Sequence, residues 1–566
     1  MSRILPGLLD ALGRAESSVD PAIWIHLATR EELAREAAAL EVRLAGGESL
    51  PLAGMPFGVK DNIDVAGWPT TAACPDFAYT PDADATAVAR LRNAGAVPLG
   101  KTNLDQFATG LVGTRSPYGA VRNVFSDAHV SGGSSSGSAA AVARGHVPFA
   151  LGTDTAGSGR IPAAFGNLVG LKPTRGAWSA NGVVPACRSL DCVSVFCRDT
   201  ILTRTVWKAV VGSDPLDPYS REMPDFAPRA VSTAFRFAVP RGGVPFISEH
   251  LWIELWTDSV TRLKSLGGTA VEIDFAPFEE TAALLYEGPW IAERWSELGA
   301  FASANPNSLH PTTRAILEQG RTRTAVEVYQ AQHRLEALRR VVETQFESID
   351  VIALPTAGRL PSFAQVEADP IGVNSFLGRG TNFCNLLDLC ALALPAGFDA
   401  RGLPFGISLF ASAFHDLALL DLGDRWSGSR SPALLPDPPR VRIAVAGLHL
   451  SGEPLNHELT SLGGRLERST RTSAAYRCYR IRRGERQFPG LVRTGTGSPT
   501  EVEIWSLPPE GAGSFLANCV RPPLVLGTLE MEDGSTAMGF LCESWAVDGM
   551  EDITSAGSWR RARPGA

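Results

Sequence analysis

The chain has 566 residues, enough for two to four domains of roughly 100–200 residues each. With 44% hydrophobic and 20% charged residues, its composition excludes wholesale disorder and fibrous repeats. The net charge of −8 argues against nucleic acid or an anionic membrane as the main partner. No apolar stretch reaches the roughly 18 residues of a membrane span, and no signal-peptide core precedes Asp10. These features predict a cytoplasmic location.

The nine cysteines are scattered from Cys74 to Cys542, without a C-x-x-C pair or histidines at zinc-finger spacing. This distribution is typical of buried, unpaired thiols and argues against a disulfide framework or a structural metal. The sequence therefore predicts a protein without a structural metal.

The first 425 residues show the pattern of an α/β domain. Residues 1–45 have a helical pattern, with Thr29 as a helix N-cap and Glu32 completing a capping box. Predicted helices near 84–94, 136–144 and 323–347 are each followed by a short apolar run. This alternation predicts a sheet covered by helices on both faces.

The texture changes after residue 425. Residues 426–440 are rich in Pro and Ser and predict a linker. Residues 441–555 contain strand-like alternation, clearest over 500–507, and predict a smaller α+β domain. The Arg- and Gly-rich residues 556–566 predict a disordered tail.

Lysine is rare in this chain. It occurs only at positions 60, 101, 172, 208 and 264, so 47 of the 52 basic residues are Arg. Arg cannot lose its proton in a protein, whereas a buried Lys can. Lys60 and Lys101 stand in polar, Gly-rich surroundings and are therefore candidate bases; the alternative for each is a solvated surface charge.

Two stretches contain serines in unusual settings. Residues 131–142 are Gly/Ser-rich and run directly into a helix-forming sequence, which favours a helix N-terminal loop over a flexible linker. Ser158 follows a predicted buried strand and has small neighbours, so its hydroxyl is a candidate nucleophile. The nearby His129 and His146 lack an obvious carboxylate partner, which leaves Lys, acting through a second hydroxyl, as the base.

Three blocks, at residues 54–62, 132–135 and 155–162, resemble the signature of the amidase signature family in order and spacing. The resemblance implies the family's mixed sheet covered by helices, and a catalytic triad of three residues. Ser158 is then the nucleophile, Ser134, with a cis peptide bond, the proton shuttle and Lys60 the base.

The same resemblance implies an oxyanion hole formed by the backbone amides of Thr155, Ala156, Gly157 and Ser158, and makes Gly110 a substrate-binding candidate. The chain departs from the family pattern in three places. Ala156 stands where Gly is usual, Gly159 where Ile or Val is common, and Thr109 where Met is usual. We expect the change at Thr109 to bear on substrate choice.

Further stretches at 285–294, 380–389 and 445–456 resemble the allophanate hydrolases within this family. By this resemblance Tyr286 and Arg294 would bind the carboxylate of allophanate, a small ureido acid. Placed eight apart on one predicted helix, the two would share a face. The alternative is an Arg stem packed on an aromatic ring.

The resemblance also implies a homodimer without a cofactor, supplied with allophanate by a urea carboxylase or by biuret hydrolysis. In the C-terminal domain, His449 is a candidate for decarboxylating the first product, N-carboxycarbamate, because imidazole exchanges protons near neutrality. The alternative is a loop histidine satisfied by the backbone, and His457 has a weaker claim.

Two other functions remain open at this point. One is an amidase-signature hydrolase of another small amide. An apolar pocket in place of Tyr286 and Arg294 would favour this alternative. The other is an amidotransferase component that passes ammonia to a partner protein.

Overall fold

The computed structural model describes residues 4–224, 227–228, 230–286, 288–428, 440–484 and 486–563. These residues fall into two compact units. The N-terminal unit contains residues 4–223 and 228–428, and the C-terminal unit contains residues 440–563 together with 224 and 227. Among the described residues, no helix is long and apolar enough to cross a membrane.

The N-terminal unit is built on one mixed sheet with the strand order β1-β3-β2-β4-β6-β5-β10-β11-β9-β7-β8. Its strands are β1 (Trp24–Leu27), β2 (Pro56–Lys60), β3 (Val97–Thr102), β4 (Phe149–Asp154), β5 (Val169–Lys172), β6 (Cys192–Cys197), β7 (Phe235–Pro240), β8 (Gly268–Ile273), β9 (Val351–Pro355), β10 (Leu389–Phe398) and β11 (Pro404–Ser412).

Helices connect these strands and cover the sheet. They are α1 (Leu5–Glu16), α2 (Arg30–Ala45), α3 (Thr86–Asn93), α4 (Ser136–Ala143), α5 (Ile161–Phe165), α6 (Thr200–Val210), α7 (His250–Ser265), α8 (Ala276–Tyr286), α9 (Trp290–Ala304), α10 (Pro311–Gly320), α11 (Ala325–Phe346), α12 (Phe363–Ala368), α13 (Gly372–Gly378), α14 (Phe383–Leu386) and α15 (Asp416–Ser427). The predicted fold class, a mixed sheet covered by helices, is confirmed.

Local sequence explains where several helices begin. Thr29 caps α2, and Glu32 completes the predicted capping box. The prediction of helix throughout 1–45 is wrong at Trp24–Leu27, which pairs antiparallel with β3 as strand β1. The run of aromatic and β-branched residues at this point favours a strand once a sheet edge is available.

Strand pairing brings the ends of β2 and β4, which lead to the candidate site residues, to the same edge of the sheet. β2 and β4 are parallel neighbours, with Val59 opposite Leu151. Their carboxyl ends therefore lie at the same edge of the sheet, and open α/β sheets bind ligands at such edges. Lys60 ends β2 and Asp154 ends β4, four residues before Ser158.

The C-terminal unit is an α+β arrangement of two small sheets, with strand orders β13-β16-β12-β18-β17 and β15-β14-β19. Its elements are β12 (Val441–Val445), α16 (His457–Thr460), β13 (Arg465–Arg471), β14 (Tyr476–Arg483), β15 (Arg486–Arg493), β16 (Glu501–Leu507), α17 (Pro509–Cys519), β17 (Leu524–Glu530), β18 (Thr536–Cys542), β19 (Glu551–Asp552) and α18 (Trp559–Ala562).

The structure corrects two predicted boundaries. Helix α15 continues through Ser427, and the buried Trp426 donates its indole N–H to the Pro395 carbonyl oxygen at 2.8 Å, so the predicted linker cannot begin at 426. The rest of that linker, over 429–439, lies outside the described residues. The tail predicted to be disordered forms α18, because Trp559 buries its ring in the core of the C-terminal unit; residues 564–566 lie outside the description.

Replacing Trp559 by Ala tests whether the tail belongs to this core. Loss of a buried Trp costs about 3–5 kcal/mol, so we expect amide hydrogen exchange in β14 to quicken by at least about a hundredfold in the full chain. The matched control is Trp545→Ala, because Trp545 is 67% exposed. Equal exchange rates in the two variants would show that the tail contributes nothing to the core.

Candidate active site

Lys60 is fully buried at the end of β2. Its ammonium donates hydrogen bonds to the hydroxyls of Ser134 at 2.7 Å and Thr153 at 2.8 Å. Burial lowers the pKa of Lys60 to about 7, although the more distant Asp105, Asp191 and Asp154 charges act to raise it. The lysine is therefore poised to accept a proton near neutral pH.

The other lysine predicted as a candidate base is held differently. Lys101 forms a buried ion pair with Asp61, with 3.1 Å between the amine and the carboxylate oxygen, and it donates to the Thr70 hydroxyl at 2.9 Å. A paired lysine of this kind supports the structure around β3. The structure thus separates the two candidates: Lys60 contacts the hydroxyls of Ser134 and Thr153, and Lys101 contacts a carboxylate.

Ser134 lies just before α4, and the Gly133–Ser134 peptide bond is cis, as the resemblance implies. The Ser134 carbonyl accepts a hydrogen bond from the Asp105 amide at 3.0 Å. The Asp105 carboxylate in turn accepts bonds from the amides of Gly113 at 3.0 Å and Arg115 at 2.9 Å. The sequence predicted no role for Asp105, since nothing in its local motif indicates that it ties this loop to Ser134.

Ser158 is buried, and its hydroxyl is 3.5 Å from the Gly110 carbonyl oxygen, at the limit of a hydrogen bond. This places Gly110 beside the candidate nucleophile. In the described part of the chain, no hydrogen bond joins the hydroxyls of Ser158 and Ser134. The structure therefore brings Lys60 and Ser134 together, while the predicted contact between Ser134 and Ser158 is not formed among the described residues.

The loop that carries Ser158 is held by a buried ion pair that the sequence did not reveal. The Arg160 guanidinium contacts both carboxylate oxygens of Asp154, at 2.8 and 2.9 Å. The same carboxylate accepts hydrogen bonds from the amides of Gly157 at 2.9 Å and Gly159 at 3.0 Å. Burial alone would raise the pKa of Asp154, but Arg160 and the other donors hold it below its usual value.

These bonds change the predicted oxyanion hole. The Gly157 amide is predicted as a donor, but in this structure it is bonded to Asp154. The amides of Thr155, Ala156 and Ser158 have no acceptor among the described residues, so they remain the candidate oxyanion donors. Gly157 instead has a steric role, because its φ is +141° and a Cβ there would lie 2.4 Å from the Thr381 hydroxyl.

Asp191 supports the other side of this loop. Its buried carboxylate accepts bonds from the Thr155 hydroxyl and from the amides of Ala186 at 2.8 Å and Cys187 at 3.1 Å. Burial raises the pKa of Asp191 to about 6, against the opposing effect of these donors. This contact fixes the side chain of Thr155, three residues before Ser158, and was also not predicted.

The predicted carboxylate-binding pair lies on two helices rather than one. Tyr286 is the last residue of α8, and Arg294 lies on α9. The helical conformation is interrupted between them, where the sequence contains Gly288 and Pro289. The prediction of a shared helical face is therefore wrong, yet the two side chains still meet: the guanidinium carbon lies 5.5 Å from the centre of the Tyr286 ring.

Arg294 is only 1% exposed and donates from Nη1 to the Thr109 hydroxyl at 2.9 Å. Its second terminal nitrogen, Nη2, is buried without a hydrogen-bond partner among the residues the structure describes. An unpaired buried guanidinium nitrogen is costly unless a ligand satisfies it. Thr109, one of the departures from the family pattern, thus accepts a hydrogen bond from this buried cation.

In the C-terminal unit, the His449 ring is hydrogen-bonded through Nε2 to Glu458 at 2.9 Å rather than to the backbone. Burial lowers the pKa of His449, and Glu458 opposes this shift. His457, the weaker candidate, contacts the Pro454 carbonyl oxygen at 2.9 Å.

The predicted tail holds the loop that follows His449. Arg560 donates to the Ser451 carbonyl oxygen at 2.7 Å, and Arg563 pairs with the buried Glu453 at 2.8 Å. The tail therefore helps to position this loop.

Comparisons with known proteins match two separate family models to this chain. The amidase family model matches residues 8–420, and the model of the allophanate hydrolase C-terminal domain matches residues 441–563. The urea amidolyase of Saccharomyces cerevisiae is 44% identical over 99% of this chain and 32% of its own length. The chain thus spans about a third of the length of that relative. A glutamyl-tRNA(Gln) amidotransferase chain of Roseiflexus castenholzii is 34% identical over 74% of this chain and 91% of its own length.

Solved structures extend the similarity to the fold. The structure of Kluyveromyces lactis allophanate hydrolase has 41% identity and a TM-score of 0.74, covering 98% of this chain and 96% of that one. The structure of K. lactis urea amidolyase has the same identity and TM-score but is covered over 36% of its length. With a buried Lys–Ser pair beside a candidate nucleophile and a family match over residues 8–420, this chain belongs to the amidase family.

Proposed function

We propose that this chain hydrolyses allophanate and releases ammonia. The observation that carries the proposal is the buried Arg294, whose Nη2 lacks a partner among the described residues, beside the ring of Tyr286. A fixed, desolvated cation suits the carboxylate of a small anionic amide. The similarity to K. lactis allophanate hydrolase over both units supports the same substrate.

The proposed reaction begins when the Ser158 hydroxyl attacks the terminal amide carbonyl. Ser134 takes the hydroxyl proton and passes its own proton to Lys60, and the amides of Ala156 and Ser158 bind the oxyanion. Ammonia leaves with a proton returned through the same relay. Water then attacks the acyl-enzyme, and the product released is N-carboxycarbamate.

The site favours this function over the two alternatives. An enzyme for neutral amides gains nothing from a buried guanidinium nitrogen that lacks a hydrogen-bond partner among the described residues, because an unsatisfied buried polar group is costly. A component of an amidotransferase needs no domain like the one matched over residues 441–563. The similarity to the Roseiflexus castenholzii amidotransferase chain nevertheless makes ammonia transfer one of the outcomes that the assay below distinguishes.

We further propose that the C-terminal unit decarboxylates N-carboxycarbamate, with His449 as the proton donor. Cleavage of the bond between nitrogen and the departing carboxylate leaves an electron pair on nitrogen, and His449 supplies the proton that this nitrogen needs. The support is its location within residues 441–563 and the carboxylate of Glu458, which can stabilise its protonated form.

The proposed pathway and assembly follow from the relatives. The similarity to yeast urea amidolyases supports supply of allophanate by a reaction that carboxylates urea; hydrolysis of biuret would give the same compound. A homodimer remains a prediction from the family resemblance, which sedimentation of the purified chain would test.

The activity itself is tested with the purified chain, allophanate and no other protein. We expect continuous ammonia release, which Ser158→Ala abolishes while its circular dichroism spectrum stays unchanged. Ammonia release that requires a partner protein would favour the amidotransferase alternative. Full activity in Ser158→Ala would overturn the proposed nucleophile.

The pH profile tests Lys60 as the base. Because the pKa of Lys60 is lowered to about 7 and only the neutral amine accepts a proton, we expect kcat/KM to rise about tenfold per pH unit below 7 and to level off above it. Thr153→Val removes an acceptor that stabilises the charged amine, so the rising limb should move to lower pH.

One contact and one control variant make this pH test specific for Lys60. Asp191 also titrates near pH 6, but Thr153 bonds to Lys60 and not to Asp191, so only a Lys60 limb should move in Thr153→Val. Replacing the exposed Lys208 by Met is the control and should leave the limb in place. A flat profile, or an unmoved limb in Thr153→Val, would contradict the assignment.

Substrate charge tests Arg294. Removing one partner of a desolvated carboxylate costs about 2–5 kcal/mol, so Arg294→Ala should lower kcat/KM for allophanate by roughly 30-fold to several thousandfold. The loss on uncharged biuret should be much smaller. Arg188→Ala, which removes a half-exposed partner of Glu297, is the matched control. Equal losses on both substrates would mean that Arg294 only supports the fold.

The second step is tested with His449→Ala in the full chain. We expect the first ammonia to be released at the wild-type rate, while N-carboxycarbamate accumulates and decays at its uncatalysed rate, as followed by ¹³C NMR of labelled allophanate. His457→Ala is the control. Carbon dioxide release at the wild-type rate in His449→Ala would remove His449 from the site.

A further inference from the structure

Three metal-ligating side chains meet in the C-terminal unit. The atoms are His449 Nε2, Glu458 Oε2 and Cys519 Sγ, which all lie within 4.8 Å of one another. Each comes from a different element: the 3₁₀ turn at Gly447–His449, helix α16 and the last residue of helix α17. Residues so far apart in sequence give no recognisable ligand spacing, so the sequence predicted no metal here.

The distances within this cluster fit a tetrahedral metal. Bonds of about 2.0–2.2 Å to N or O and 2.3 Å to S place the ligand atoms of zinc roughly 3.3–3.6 Å apart. The observed separations are 2.9 Å between His449 and Glu458, 3.5 Å between Glu458 and Cys519, and 3.8 Å between Cys519 and His449. Shifts of a few tenths of an ångström would bring all three atoms into a zinc coordination sphere.

The arrangement does not resemble a catalytic Cys–His–Glu relay. In such a relay the thiol and the carboxylate bond to opposite nitrogens of the imidazole ring. Here the Cys519 sulfur and the Glu458 oxygen both lie against the same nitrogen, Nε2 of His449. The three groups therefore converge on one point, as metal ligands do.

The surroundings hold the ligands and leave a way in. The Phe515 ring packs edge-to-face on the imidazole with centroids 5.0 Å apart, and Asn456 donates to the His449 carbonyl oxygen at 2.9 Å. The side chains of His449 and Glu458 are 16% and 38% exposed, so an ion can enter from solvent. Three protein ligands leave the fourth position of a tetrahedral site for water.

We propose that His449, Glu458 and Cys519 bind one divalent cation of the zinc class. A thiolate and an imidazole select zinc or a similar borderline-soft metal, whereas Mg²⁺ and Ca²⁺ prefer all-oxygen sites. On binding, a metal–sulfur bond replaces the Cys519 S–H bond, and the thiol proton leaves to solvent. His449 offers the lone pair of Nε2 and keeps its single ring proton on Nδ1.

This site is independent of the proposed hydrolysis of allophanate. It does bear on the proposed decarboxylation, because a metal on Nε2 prevents His449 from donating a proton through that atom. We therefore expect zinc to slow release of carbon dioxide and to leave release of the first ammonia unchanged. Metal binding is measured directly below, so its failure is distinguishable from failure of either proposed reaction.

The test is a Co²⁺ titration of the metal-free full chain, followed by absorption. A tetrahedral cobalt–thiolate site gives intense visible bands and a sulfur-to-cobalt charge-transfer band in the near ultraviolet, and Zn²⁺ should abolish both. We expect one-to-one stoichiometry. Cys519→Ser should lose the charge-transfer band, and Cys519→Ser and Glu458→Gln should each weaken binding by more than about 100-fold, beyond what loss of an outer-shell partner costs.

Matched variants control for unrelated binding. Cys542→Ser removes another thiol of the same unit, and His457→Ala removes the neighbouring histidine, so both should keep the full spectrum. Circular dichroism and release of the first ammonia check that each variant is folded. Absence of a charge-transfer band in the wild type, or its persistence in Cys519→Ser, would overturn the proposed site.

Discussion

The N-terminal site depends on one constraint: the amine of Lys60 is buried, and none of the described carboxylates lies within hydrogen-bonding distance of it. Its hydrogen-bond partners in the described chain are the hydroxyls of Ser134 and Thr153, which stabilise an ammonium less than a carboxylate would. Desolvation therefore outweighs the pull of the more distant acids and brings the pKa to about 7. Burial also lowers the pKa of Lys101, but Lys101 has a carboxylate partner, Asp61, which acts to raise it.

The acids around the site have a different task. Asp105, Asp154 and Asp191 are buried, and each accepts bonds from the backbone or hydroxyls of the loops that carry the reacting groups. Breaking a buried pair such as that of Asp154 with Arg160 leaves an uncompensated charge and typically costs about 3–5 kcal/mol. This cost favours a single backbone arrangement of the loop that carries Ser158.

The C-terminal unit also holds its loops with charged pairs, around a smaller core. Arg560 on the last helix pairs with Glu501 of β16, and Arg563, just after that helix, pairs with Glu453 in the loop after His449. Trp559 anchors that helix in the apolar core. The composition of this tail is polar and Gly-rich, yet the tail is ordered. Its few apolar and basic side chains find partners in the folded unit.

The sequence alone determined the fold class, the capped start of α2 and the candidate serines with Lys60, because local propensity and contiguous signature blocks carry that information. It offered both Lys60 and Lys101 as candidate bases until the family resemblance singled out Lys60, and it placed Tyr286 and Arg294 on one helix. It gave Asp105, Asp154, Asp191 and Cys519 no role. Only the tertiary structure showed how these residues are placed. Burial and the distances between residues far apart in sequence set the pKa values and bring side chains together, and the local spacing of residues in the sequence gives neither.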